Sequence, residues 1–143
     1  MSASSDTLEG ETPSTGPEFK ASFRILADRL DFATLSMELG VSPTRTHRAE
    51  DRDILGKEFG RDMWTFESPL ARTASFDEHV TRLNSVLTSR IDFLRRIARN
   101  ADLSVVCSYR AYETDQGGFS LSPATLGALD ELGVRVEFHL MFI

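Results

Sequence analysis

The sequence predicts an α+β fold, a two-layer sandwich in which three helices pack on one face of a four- or five-stranded sheet. Three observations predict it. Segments alternating apolar and polar residues with a period of two recur along the chain, segments with apolar residues at steps of three and four fall between them, and each alternating segment has one apolar and one polar face. A sheet covered by helices on both sides would have strands apolar on both faces. Here only one face asks for cover.

Residues 1–18 are rich in Ser, Thr, Gly, Pro and Glu, with too few apolar groups to offset the entropy of ordering them, so a disordered acidic tail precedes a single α+β domain at 19–143. The first strand follows at once: Phe19, Ala21, Phe23 and Ile25 on one face, Lys20, Ser22 and Arg24 on the other. Asp31 is placed to cap a short helix carrying Phe32, Leu35 and Leu39, which Gly40 ends. Residues 44–61, mixed in charge and holding Gly56 and Gly60, suit a long loop or loose hairpin. Trp64 and Phe66 alternate with Thr65 and Glu67 in a second strand over 63–67.

Ser75 and Glu78 have the spacing of a capping box, and Val80, Leu83, Leu87, Ile91, Leu94 and Ile97 continue as one stripe, a single long helix to about 98. A third strand covers 103–112. Ser122-Pro123 opens a third helix with Leu126, Leu129 and Leu132 on its buried face, and Gly133 stops it. The last strand, 134–143, turns Val134, Val136, Phe138, Leu140 and Phe142 inward. The opposite sheet face then displays Lys20, Ser22, Arg24, Thr65, Ser104, Ser108, Arg110, Arg135, Glu137 and His139, with Val106, Tyr112 and Met141 among them.

Composition narrows the function. The 143 residues make one ordinary domain with a net charge of -6. Four of the 22 acidic residues lie in the tail, which has no basic residue, leaving 18 against all 16 basic ones. A body so balanced lacks the basic excess that a phosphate backbone demands, so no nucleic-acid partner is expected. No apolar run approaches the roughly 20 residues that span a bilayer, so no membrane partner is expected either. The single Cys107 and the absence of a signal-peptide pattern favour a reducing, cytoplasmic location. The expected assembly is a monomer or weak homo-oligomer.

Several stretches together resemble the bacterial family catalogued as domain of unknown function 4279. They are ASFRILAD, LGVSPTRTHR, the WTFES strand at Trp64, SFDEHV opening the long helix, GGFSLSP and the closing LGVRVEFHLMF, spread in order over 19–143. The resemblance implies a small α+β domain and assigns no activity. Such proteins tend to carry a Gly-Asp turn soon after the arginine and histidine; here Ala49-Glu50-Asp51 stands there.

No nucleophile elbow, Walker loop, zinc-protease motif or dinucleotide fingerprint is present, and no cofactor is expected. His47, Glu50, Asp51 and Asp53 are capable metal ligands, but their spacing matches no EF-hand loop and no zinc motif, and the interleaved Arg48 and Arg52 would repel a cation. Cys107 lies on the apolar strand face, where a cysteine acts as a small hydrophobe. His79, in the first turn of the long helix, reads as exposed.

The leading expectation is a non-catalytic protein-interaction module of the immunity or inhibitor type, using Arg45, His47 and Arg48 in the polar connector and Arg24, Arg110, Arg135 and His139 on the open face. Reversing Arg45 and Arg48 to glutamate should then slow association and leave folding intact. The alternative is an enzymatic or anionic-ligand domain with a pocket between the 42–61 loop, Trp64 and the DQGG turn. There Arg45 and His47 would hold the anion and Trp64 would form an apolar wall. Trp64 is nevertheless more often a core residue at such a position, given its alternation with Phe66.

Overall fold

The computed structural model describes residues 16–112 and 118–143; most of the expected tail, and all of the DQGG turn but Gly118, lie outside them. Five strands form one sheet: β1 (Glu18–Ala27), β2 (Arg45–His47), β3 (Asp62–Glu67), β4 (Asp102–Ala111) and β5 (Arg135–Phe142). Their order is β2-β3-β1-β4-β5, with every pair antiparallel except β4–β5. That parallel pair is joined by a crossover containing a helix, the connection parallel strands need.

β1 lies at the centre because its odd-numbered residues are the most apolar. Ala21, Phe23 and Ile25 are wholly buried. They meet Trp64 of β3 and Leu103, Val105, Cys107 and Tyr109 of β4 in one core. A register slip of one residue would turn all of these into solvent.

Four helices supply the second layer: α1 (Phe32–Leu39), α2 (Phe76–Leu87), α3 (Ile91–Ile97) and α4 (Pro123–Leu132). Asp31 caps α1 by accepting the Thr34 N–H at 3.1 Å, and Gly40 ends it with φ 70°. The capping box of Ser75 and Glu78 is formed in both directions. Ser122 caps α4, and Asp77 at the start of α2 accepts the Ser122 N–H at 2.7 Å, tying the two helix starts together.

The single long helix expected over 75–98 is divided. A 3-10 turn at Thr88–Arg90 separates α2 from α3. Ser85, Thr88 and Ser89 turn their hydroxyls back onto the carbonyls of Arg82, Asn84 and Val86, which competes with the helical ladder at that point. The apolar stripe continues across the break, so periodicity alone does not reveal it.

Two strands differ from expectation. β2 is an additional edge strand within the segment read as a loop, paired with β3 through only three residues. β5 has the expected facing, but its inward side is poorly covered: Phe138, Leu140 and Phe142 are 45, 52 and 60% exposed. The cause is that α4 packs chiefly on α2 and α3 rather than over β5.

Candidate functional site

The register sets the open face out in rows. Arg45, Thr65, Arg24, Ser104 and Arg135 lie side by side across all five strands. The next row is Glu67, Ser22, Val106 and Glu137, and the next contains Lys20, Ser108 and His139. Small side chains in the middle and long charged ones around them leave a shallow trough of about 280 Å³. Ser22, Thr65, Val106 and Ser108 form its floor, with Lys20, Arg45 and His139 on its rim.

Glu137 organises one side of this trough. Its carboxylate accepts from Arg24 at 2.8 Å and Arg135 at 3.0 Å, and His139 Nε2 lies 3.4 Å away. Partial burial pushes the Glu137 carboxyl up, but the hydrogen bonds from Arg135 and Arg24 outweigh it and hold the group below its ordinary range. Arg24 and Arg135 are therefore already engaged within the chain, whereas Arg45 and Arg110 form no ion pair among the described residues.

Two floor atoms stand out. Arg24 Nε and the hydroxyl of Thr65 are shielded from solvent and have no hydrogen-bond partner among the described residues. They belong to directly opposed residues of β1 and β3. Buried polar groups are nearly always paired, so two unpaired ones on directly opposed residues are unusual.

The connector at 42–51 is more structured than the sequence suggests. Arg48 reaches inward, donating to the wholly buried carboxylate of Asp62 at 2.6 Å and to the Leu30 carbonyl at 2.7 Å, with its guanidinium 3.9 Å from the Phe32 ring centroid. Asp62 also accepts the N–H groups of Leu30 and Ala49 at 2.9 and 2.8 Å. Burial pushes the Asp62 carboxyl up, yet these N–H donors and Arg48 together hold it below its usual value. Arg48 is thus a structural anchor and not a free recognition group, because releasing it would leave the buried Asp62 with only the exposed Arg29, 4.0 Å away, as counter-ion. The turn at Ala49-Glu50 is closed by Asp51, which accepts the Arg48 N–H at 2.8 Å.

Asp62 went unnoticed in the sequence, although a signal was there. It shares the parity of Trp64 and Phe66, and a carboxylate on an apolar strand face calls for a buried partner. His79 is a similar case. It is 1% exposed, not solvated, because it lies three residues after Phe76 and four before Leu83 on the same stripe. Its Nδ1 is 2.8 Å from Ser68 Oγ, and burial depresses its pKa.

The alternative pocket changes composition. A hollow of about 670 Å³ does lie beside β2, lined by Arg45, His47, Arg52 and Phe59. His47 stacks on Phe59 with centroids 3.7 Å apart, and burial together with nearby Arg45 lowers its pKa. Trp64 is no wall of this hollow. It is wholly buried in the core, its Nε1 donating to Ser36 Oγ at 3.2 Å.

Cys107 is likewise buried, which pushes its thiol up to about 11. Among the described residues no group of three or more histidine, cysteine or carboxylate side chains is placed to hold a metal ion, and no helix is long and apolar enough to cross a membrane.

The model of a family described as "Domain of unknown function (DUF4279)" matches residues 17–142. No curated protein and no solved structure matches the chain.

Proposed function

Because the chain belongs to the domain of unknown function 4279 family, whose name assigns no activity, we propose a function from geometry alone. It is a non-catalytic protein-interaction module of the immunity or inhibitor type that receives an acidic segment of a partner protein in the open-face trough. The observation that carries this reading is the pair of shielded, unpaired donors on the trough floor, Arg24 Nε and the Thr65 hydroxyl. An arginine N–H can only donate, so an acidic group that displaces the side chains covering these atoms would find donors beneath them. Unpaired Arg45 on the rim would speed encounter with an acidic partner.

The test is co-purification from host extract at physiological salt with the full chain and with Ser108→Arg, which fills the trough from a half-exposed position. A protein retained by the wild type and lost by the variant, at equal melting temperature, supports the reading. Retention by both, or by neither, counts against it.

A second reading, an enzymatic or anionic-ligand domain, is favoured by the hollow beside β2, where Arg45 and Arg52 flank the stacked His47 and Phe59. A thermal-shift screen of anionic metabolites addresses it. Stabilisation that Arg45→Gln abolishes would support a ligand there, and no shift with any anion would remove it.

A further inference from the structure

β5 presents a second, independent surface. Among the described residues it ends the sheet, and residues 138–143, its last five and the Ile143 that follows, are exposed on both faces; Phe138, Leu140, Met141, Phe142 and Ile143 are large and apolar. Long, apolar edge strands are normally guarded by charge, proline, a bulge or a covering element, because their free backbone groups recruit another strand. This edge has neither proline nor lysine.

The free groups can be assigned by parity. The Ile143 N–H donates to the Ala111 carbonyl at 2.9 Å, so the odd-numbered residues of β5 point their backbone groups at β4. Val136, Phe138, Leu140 and Phe142 therefore point theirs outward.

We infer that β5 pairs antiparallel with β5 of a second copy about a twofold axis at Phe138, joining two five-stranded sheets into one of ten strands. The register follows from polar pairing on the open face together with apolar cover on the helix side. With the axis at Phe138, Glu137 of each copy stands opposite His139 of the other, at the closely spaced pairs between hydrogen-bonded ones where side chains approach most. An axis at His139 would oppose the two histidines and set Glu137 against Met141. An axis at Val136 would pair Arg135 with Glu137 but leave Leu140 and Phe142 uncovered.

At Phe138 the outward groups of Val136, Phe138 and Leu140 all find partners. The exposed side chain of Phe138, stacked on Phe119, then lies against its own copy on the helix side, and Leu140 lies against Val136 of the other copy. The pairing uses neither the trough floor nor its two unpaired donors, so it stands or falls separately from the proposed function.

The register makes a specific test possible in the full chain. In this arrangement Phe138 faces its own copy at a Cα separation of about 5.5 Å, within disulfide reach. Phe138→Cys should therefore cross-link under mild oxidation, while Val136→Cys and Leu140→Cys, which face each other's positions, should not; the native Cys107 is buried and stays silent. Sedimentation of the wild type should give the dimer mass.

Leu140→Pro removes only an outward N–H. It should weaken association by about tenfold or more through the two symmetry-related bonds lost, with an unchanged circular dichroism spectrum. A wild type that sediments as a monomer at every concentration would overturn the inference. So would equal cross-linking at positions 136, 138 and 140.

Discussion

Among the described residues two carboxylates each lie within ion-pair distance of two arginines, Asp62 with Arg29 and Arg48 and Glu137 with Arg24 and Arg135, and they differ in what else they hold. Asp62 is wholly buried and binds Arg48 together with two backbone N–H groups, so it fixes the 28–30 and 48–49 segments to the start of β3. Glu137 keeps 27% of its side chain exposed and binds only side chains, Arg24, Arg135 and His139. Both are held below their ordinary pKa range. A depressed carboxylate is therefore no guide to role by itself; bonds to backbone and full burial mark the one that holds the fold, while solvent access marks the one that can exchange partners.

The comparison is broken most directly by removing each carboxylate. Asp62→Ala should cost roughly 3–5 kcal/mol in urea unfolding, since Arg48 and two N–H groups lose their acceptor, whereas Glu137→Ala should cost about 0–1 kcal/mol. Equal losses would place Glu137 in the structural class. The opposite substitution gives the matching result. Arg48→Glu should unfold the protein or nearly so, while Arg45→Glu should leave its melting temperature within a degree or two of the wild type, roughly the scale of a surface pair. This replaces the expectation that both reversals leave folding intact.

Trp64→Ala should cost about 3–5 kcal/mol, as for other buried aromatics, and a small loss would mean that the indole is free to serve a ligand.

Acid sharpens the comparison further. His79 has a folded pKa below its ordinary 6.5, so the unfolded chain takes up the proton first. Its contribution is intact above 6.5 and is lost as pH falls from there toward the depressed folded value. Asp62 contributes above 3.8 and fails only as pH falls below it through its own depressed value. Stability measured against pH should thus decline in two stages, and His79→Asn should flatten the upper one. An unchanged upper slope in that variant would assign it elsewhere, with His47 the next group to test.

Much of the fold was legible because local rules and core demand agree. The caps at Asp31, Ser75 and Ser122 and the stops at Gly40 and Gly133 all form as their residue types require. The open-face composition also followed from alternation. What sequence could not supply was pairing across distance. Three residues are too few to show a period, so β2 was hidden in its loop, and Asp62 meets Arg48 only when β2 and β3 are adjacent. The exposure of Phe138, Leu140 and Phe142 depends on where α4 packs, which no pattern within β5 encodes. Of the candidate residues, Arg24, Arg45, Arg135 and His139 do share one face, Arg110 lies further along it without an ion pair among the described residues, and Arg48 and Trp64 belong to the interior scaffold.

The smallest structural change carries the most direct test of the central claim, that the trough receives a partner's acidic group. Thr65→Val is nearly isosteric and removes one of the two unpaired donors, so the monomer loses no bond it makes and its melting temperature should hold or rise slightly. The measurement is a titration of the co-purified partner against wild type and Thr65→Val at low and moderate salt. The account predicts binding weakened by about tenfold at both salts, the cost of a lost charge-assisted hydrogen bond. Unchanged affinity in the variant would contradict it.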